Sequence, residues 1–238
     1  MTQSATNPYI AGPAPDVSQI EIPADGVQIK AHMARPQGFT SGAAVVVIHE
    51  NRGLQPNIRD VADGLASSGF LAVAPDLVSR DGGTDSIEDI PGMINTIPKE
   101  RLSGDAQAVV KYLKGLPEVT SVGIIGFCFG GGVTWRVATE SADIAAAIPC
   151  YGSNPPLEQV PNTKAAVFAV YGATDERINA GIDDINKALD DAGIAHEHKL
   201  YAGAGHAFIN HNAGERYNAE QAKAAWADIL GFFGKHLS

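Results

Sequence analysis

A cysteine set between paired glycines, Gly126-Phe127-Cys128-Phe129-Gly130, stands where an apolar, β-branched stretch meets a run able to form a helix. That is the spacing of a nucleophile elbow, with sulfur in place of the usual hydroxyl. The glycines have a steric cause: a residue on so tight a strand-to-helix turn occupies strained backbone, and a Cβ two positions away on either side would strike neighbouring chain. A thiol of pKa ~8.5 is mostly protonated at neutral pH, so a base must remove its proton before sulfur can attack a carbonyl carbon. His206, in the glycine-rich loop Ala202-Gly203-Ala204-Gly205-His206, is the candidate base, and Asp175 is the candidate carboxylate that fixes the imidazole tautomer. Each residue also has a plainer use. Cys128 can be inert core, Asp175 can cap a helix beginning near Ile178, and His211 or His49 can stand in for His206.

Each of these groups needs an element to deliver it. The run 43–48 (AAVVVI) reads as a strand buried on both faces, and Glu50 and Asn51 follow at its carboxyl end, where open α/β sheets bind ligands. Glu50 is a candidate catalytic carboxylate, its plain alternative a solvated loop charge. The N–H groups of Phe129 and Asn51 are the expected oxyanion donors. Further buried strands are predicted over 70–74, 144–148 and 164–171, and an outer strand over 196–201. Helices between them follow the spacing of Ile58, Val61, Ala62 and Leu65, of Leu102, Ala106, Val109 and Leu113, and of Ile182, Ile185 and Leu189; a last helix spans 219–235. The helix over 131–140 would direct its N-terminal amides at the thiol and favour the anion. Residues 17–23 and 27–35 flank Ala24-Asp25-Gly26 as an antiparallel hairpin, with His32 structural. Asp76 is expected to tie down its own turn, and 79–98 to run irregularly with a short helix near 87–97. The result is an α/β fold: a mostly parallel central sheet with helices on both faces and an N-terminal antiparallel hairpin. Residues 1–16 are expected to be an irregular arm and 17–238 a single domain.

Composition narrows the partners. The chain has 238 residues, 17 basic and 27 acidic side chains and a net charge of −10, which argues against nucleic acid or an anionic membrane surface as partners. Its only cysteines, Cys128 and Cys150, show neither metal-ligand nor disulfide spacing. No leader-like segment or membrane-length apolar run is visible, so a cytoplasmic protein, monomer or homodimer, is expected.

The order nucleophile, acid, histidine is that of α/β-hydrolases. Together VVVIHENRG, FLAVAPDL, GFCFGGG, YGATDERI and GAGHAF make the chain resemble the dienelactone hydrolase (carboxymethylenebutenolidase) family of that fold, over about residues 27–237. The resemblance implies a Cys128, Asp175 and His206 triad, with Glu50 holding the resting thiol and taking its proton when substrate binds. It also implies opening of small enol-lactones, dienelactone to maleylacetate, through a thioester with no metal or cofactor. Where the family's dienelactone-specific members carry an anion-binding arginine after the histidine, this chain has Asn210; Arg80 and Arg101 lie in range of the second such arginine, and Tyr151 is a further candidate substrate contact. Besides a hydrolase of small lactones or esters, two readings stay open. One is a redox-sensing thiol whose sulfenate Cys150 resolves; the other is an inactive scaffold.

Overall fold

Three apolar clusters, one on one face of a single sheet and two on the other, account for the continuous apolar runs. In the computed structural model, which describes residues 7–237, the chain runs β1 (Asp16–Ala24), β2 (Val27–Arg35), β3 (Gly42–Ile48), α1 (Pro56–Ser67), β4 (Leu71–Pro75), α2 (Ile90–Thr96) and α3 (Lys99–Lys114). It continues through β5 (Val119–Phe127), α4 (Phe129–Glu140), β6 (Ala146–Cys150), β7 (Ala166–Gly172), α5 (Glu176–Asn179), α6 (Ile182–Asp191), β8 (His196–Tyr201) and α7 (Ala219–His236). The strands form one eight-stranded sheet in the order β1-β2-β4-β3-β5-β6-β7-β8. The β1–β2 and β2–β4 pairs are antiparallel; the β3–β4 pair and the pairs onward to β8 are parallel.

Successive residues of an inner strand point to opposite faces. Val45, Val47, Ile125 and Ile148 therefore join Ile58 and Leu65 of α1 and Trp226 and Phe233 of α7. Val46, Ile124 and Ala147 join Leu102 and Val109 of α3 and Val137 of α4 on the other side. A strand covered on both faces has no solvent side to carry polar residues, hence the unbroken runs.

The expected hairpin forms, with Asp25 and Gly26 both at positive φ (45° and 78°), as a two-residue turn between twisted strands requires. Asp76 ties its turn as expected, accepting from the Val78 N–H at 3.3 Å, and also holds the following excursion by accepting from the Thr84 N–H at 2.7 Å and its hydroxyl at 2.8 Å. His32 is structural, 2.7 Å from Asp63. β6 corrects the strand predicted over 144–148: it continues across Pro149 to Cys150. Proline lacks a donor, but Pro149 and Cys150 keep register with Gly126 and Phe127, and the Cys150 carbonyl accepts from the Cys128 N–H at 3.0 Å.

Of the arm expected over 1–16, residues 1–6 lie outside the described residues. The rest is irregular but not merely superficial. Tyr9 is 3% exposed, packs on Trp226, and donates its hydroxyl to the Ile209 carbonyl. Among the described residues no helix is long and apolar enough to cross a membrane.

Candidate active site

Because β3, β5, β7 and β8 run parallel, the segments that follow them leave the sheet at one edge. There β5 ends at Phe127 and α4 begins at Phe129, leaving Cys128 on the turn at φ 56°. The flanking glycines are required by contact: a Cβ on Gly126 would lie 2.2 Å from the Gly130 carbonyl oxygen, and one on Gly130 2.4 Å from that of His49. Tyr151 (φ 37°) and Ala207 (φ 65°) are likewise left-handed, so three of the four non-glycine residues at positive φ among the described residues flank or form this edge.

Cys128 Sγ lies 3.0 Å from His206 Nε2, and His206 Nδ1 lies 2.5 Å from Asp175 Oδ2. The carboxylate can only accept, so Nδ1 carries the proton and Nε2 of the neutral ring is free to accept the thiol proton. Asp175 occupies the N-cap position of α5, yet its side chain makes no capping bond and turns to the histidine instead.

The surroundings of Cys128 do not favour the anion as expected from the helix dipole. Burial first, and the Glu50 charge second, push Cys128 above its ordinary pKa, against the N–H of Phe129 and the charge of Arg177. Removing its proton therefore needs a base, and His206 is in contact. Glu50 lines the same cleft, of about 370 Å³. Burial raises its carboxyl above the usual range, with the Asn210 hydrogen bond the chief opposing influence. Oε2 accepts from Asn210 Nδ2, and Oε1 is buried without a partner among the described residues. Here the thiol faces His206 and Glu50 faces Asn210, which differs from the resting thiol–Glu50 contact that the resemblance implies.

Asn51 lines this cleft, and Phe129 directly follows Cys128 at the start of α4, its N–H lowering the thiol's pKa. The other sequence candidates fall elsewhere. His49 is wholly buried: Nε2 accepts from the Leu77 N–H at 3.1 Å and Nδ1 donates to the Glu50 carbonyl at 2.6 Å, tying the ends of β3 and β4. His211 pairs with Asp60 of α1 at 3.0 Å. Arg80 is held by Asp105, the shortest contact being 2.6 Å, and Arg101 by Asp81; neither lines the cleft. Tyr151, 1% exposed, backs the His206 ring edge-on at 5.1 Å rather than facing the cleft. Cys150 is sealed in the core, its thiol pushed well up by burial.

Arg52 and Arg216 do line the cleft, and sequence reading passed over both. Arg52 stood inside the quoted HENRG segment, beside the expected oxyanion loop. Nothing local marks Arg216, which arrives through the fold of the loop before α7.

The sequence profile of the dienelactone hydrolase family matches residues 29–237. A candidate carboxymethylenebutenolidase of Saccharolobus solfataricus is 31% identical, across 90% of this chain and 96% of that protein. One of Escherichia coli K12 is 30% identical, across 90% and 85%. The crystal structure of a candidate dienelactone hydrolase from Klebsiella pneumoniae superposes with a TM-score of 0.86 at 28% identity, across 94% of this chain and 100% of that one.

Proposed function

Since this chain belongs to the dienelactone hydrolase family and has the α/β-hydrolase fold of a carboxylic ester hydrolase, we propose that it opens small lactones and esters through a thioester on Cys128. The contact of Sγ with Nε2, backed by that of Nδ1 with Asp175, is the observation that carries this reading.

His206 Nε2 takes the thiol proton as sulfur bonds to the carbonyl carbon, and the carbonyl oxygen becomes an oxyanion held by the N–H groups of Phe129 and Asn51. Asp175 stabilises the imidazolium. The carbon–oxygen bond to the leaving group breaks, and the leaving oxygen takes the proton from Nε2; in a lactone it stays tethered. Water then gives a proton to Nε2 and its oxygen to the thioester carbon, the carbon–sulfur bond breaks, and the proton returns to sulfur. The sum is ester plus water to acid plus alcohol.

Glu50 has two parts in this scheme. Its charge adds to burial in raising the thiol above its ordinary pKa, and its pairing with Asn210 takes up the side chain that stands where the dienelactone-specific members have arginine. Arg52 and Arg216, at the rim of the cleft, then supply the positive charge for a substrate carboxylate in place of Arg80 and Arg101.

The test is an assay of p-nitrophenyl acetate hydrolysis with mass spectrometry of the quenched enzyme. An acetyl adduct on Cys128 and a loss of at least about 10³-fold in kcat/KM for Cys128→Ala are expected. Parental turnover by Cys128→Ala would rule the thioester out.

A further inference from the structure

A second depression lies against the elbow from its other flank. Cys128 opens into the polar cleft, whereas the side chain of Phe129, the very next residue, lines a separate groove of about 260 Å³. Phe129, Gly132, Val133 and Arg136 of α4 all border it. Side chains three and four apart share a helix face. The groove therefore follows α4 over the eight residues from Phe129 to Arg136, a rise of about 10 Å at 1.5 Å per residue, beginning at the residue directly after Cys128.

Its walls are more apolar than polar: Leu102 of α3, Phe129, Val133, and Pro155 and Pro156 from the segment after β6, with Ser153 and Asn154 beside them. Its cations do not make it an anion site. Arg136, at the far end, is already held by Glu140 at 2.9 Å and Glu100 at 3.1 Å, and Lys99 stands exposed at the lip. What the groove offers is mainly apolar surface that begins at the residue directly after Cys128.

We propose that this groove receives the apolar acyl arm of the substrate, so that the enzyme takes esters of medium-length aliphatic or aryl acids as well as compact lactones. The acyl side is assigned because it alone stays bound through both steps, its carbonyl oxygen on the Phe129 N–H where the groove begins. The proposal rests on the thioester reading of Cys128 and adds to it the class of acid.

Kinetics on p-nitrophenyl acetate, butyrate and hexanoate separate the two. Burial of each methylene is expected to raise kcat/KM about fourfold until the groove is full. Ser153→Trp, at an exposed position on the groove wall, and Lys99→Trp, at its opposite lip, are each expected to lower the hexanoate-to-acetate ratio of kcat/KM at least tenfold. A flat chain-length series with acetate turnover intact overturns the groove assignment and leaves the thioester standing. So does an equal loss on acetate and hexanoate in both variants, or a length dependence confined to the alcohol side in a series of alkyl acetates. Absence of turnover on all three p-nitrophenyl esters overturns the thioester reading itself.

Discussion

Glu50 and Cys128 share one cleft, and the charge of the first disfavours the charge of the second. Replacing the carboxylate by an amide of the same shape removes that repulsion, so Glu50→Gln is expected to lower the pH midpoint of Cys128 alkylation by iodoacetamide. A midpoint unchanged or raised would contradict the coupling. The same residue carries a stability consequence whose sign follows from the direction of its shift. Its native pKa lies above the unfolded value because burial disfavours the anion. The native state therefore binds the proton more tightly, ionised Glu50 exacts no penalty below about pH 4, and the penalty grows as pH rises through the native value. Glu50→Gln should thus raise Tm near neutral pH and leave it unchanged near pH 4, as differential scanning calorimetry at the two values would register. The meeting of Cys128, Asp175 and His206 was legible at this scale because residue type and chain order suffice to nominate a thiol, a carboxylate and an imidazole for one site. Arg216 was not, since an arginine in a loop acquires a role only from what folds against it.

The β5–α4 turn is the element on which the position of the Cys128 sulfur depends, and its glycines differ in kind from those on the helices. Gly130→Ala would drive a Cβ into the His49 and Ile48 carbonyls, both backbone atoms that cannot step aside. A loss of about 1–3 kcal/mol in unfolding free energy is expected, together with reduced kcat/KM. Gly231 of α7 is exposed, and an added Cβ there would have nothing within 4 Å of it, so Gly231→Ala should instead gain up to about 1 kcal/mol through helix propensity. Urea denaturation of the two variants gives opposite signs if the elbow is as tight as its contacts imply. The local pattern G-x-C-x-G was enough to foresee this turn, because a Cβ on Gly126 would strike Gly130, four residues on, whereas the clash of Gly130 with the end of β3 is non-local. The state of the thiol was not foreseeable from the same segment: the helix N-terminus favours the anion, but burial and a carboxylate from the end of β3 outweigh it.

Across the whole molecule, the loop that carries His206 is fastened from distant parts of the chain. The Tyr9 hydroxyl, kept protonated by burial, donates to the Ile209 carbonyl 200 positions away. His211 pairs with Asp60, and Asn210 with Glu50. Tyr9→Phe keeps the ring and leaves a buried carbonyl unpaired, which should destabilise the fold by about 1–3 kcal/mol. Chemical denaturation would detect it, and an unchanged midpoint would show that the N-terminal segment does not brace this loop. The sequence by itself determined the α/β alternation, the two-faced burial of the inner strands and which thiol, carboxylate and imidazole meet at the sheet edge, because periodicity, apolar runs and glycine spacing are local and survive in one dimension. Only the tertiary structure decided which of the remaining charges face the thiol. It drew Arg80 to Asp105 and Arg101 to Asp81, turned Tyr151 behind the histidine, set Asn210 on Glu50, and brought Arg52 and Arg216 to the rim. Charges choose partners by distance in space, and the loops that set those distances are placed by contacts from elements far apart in the chain.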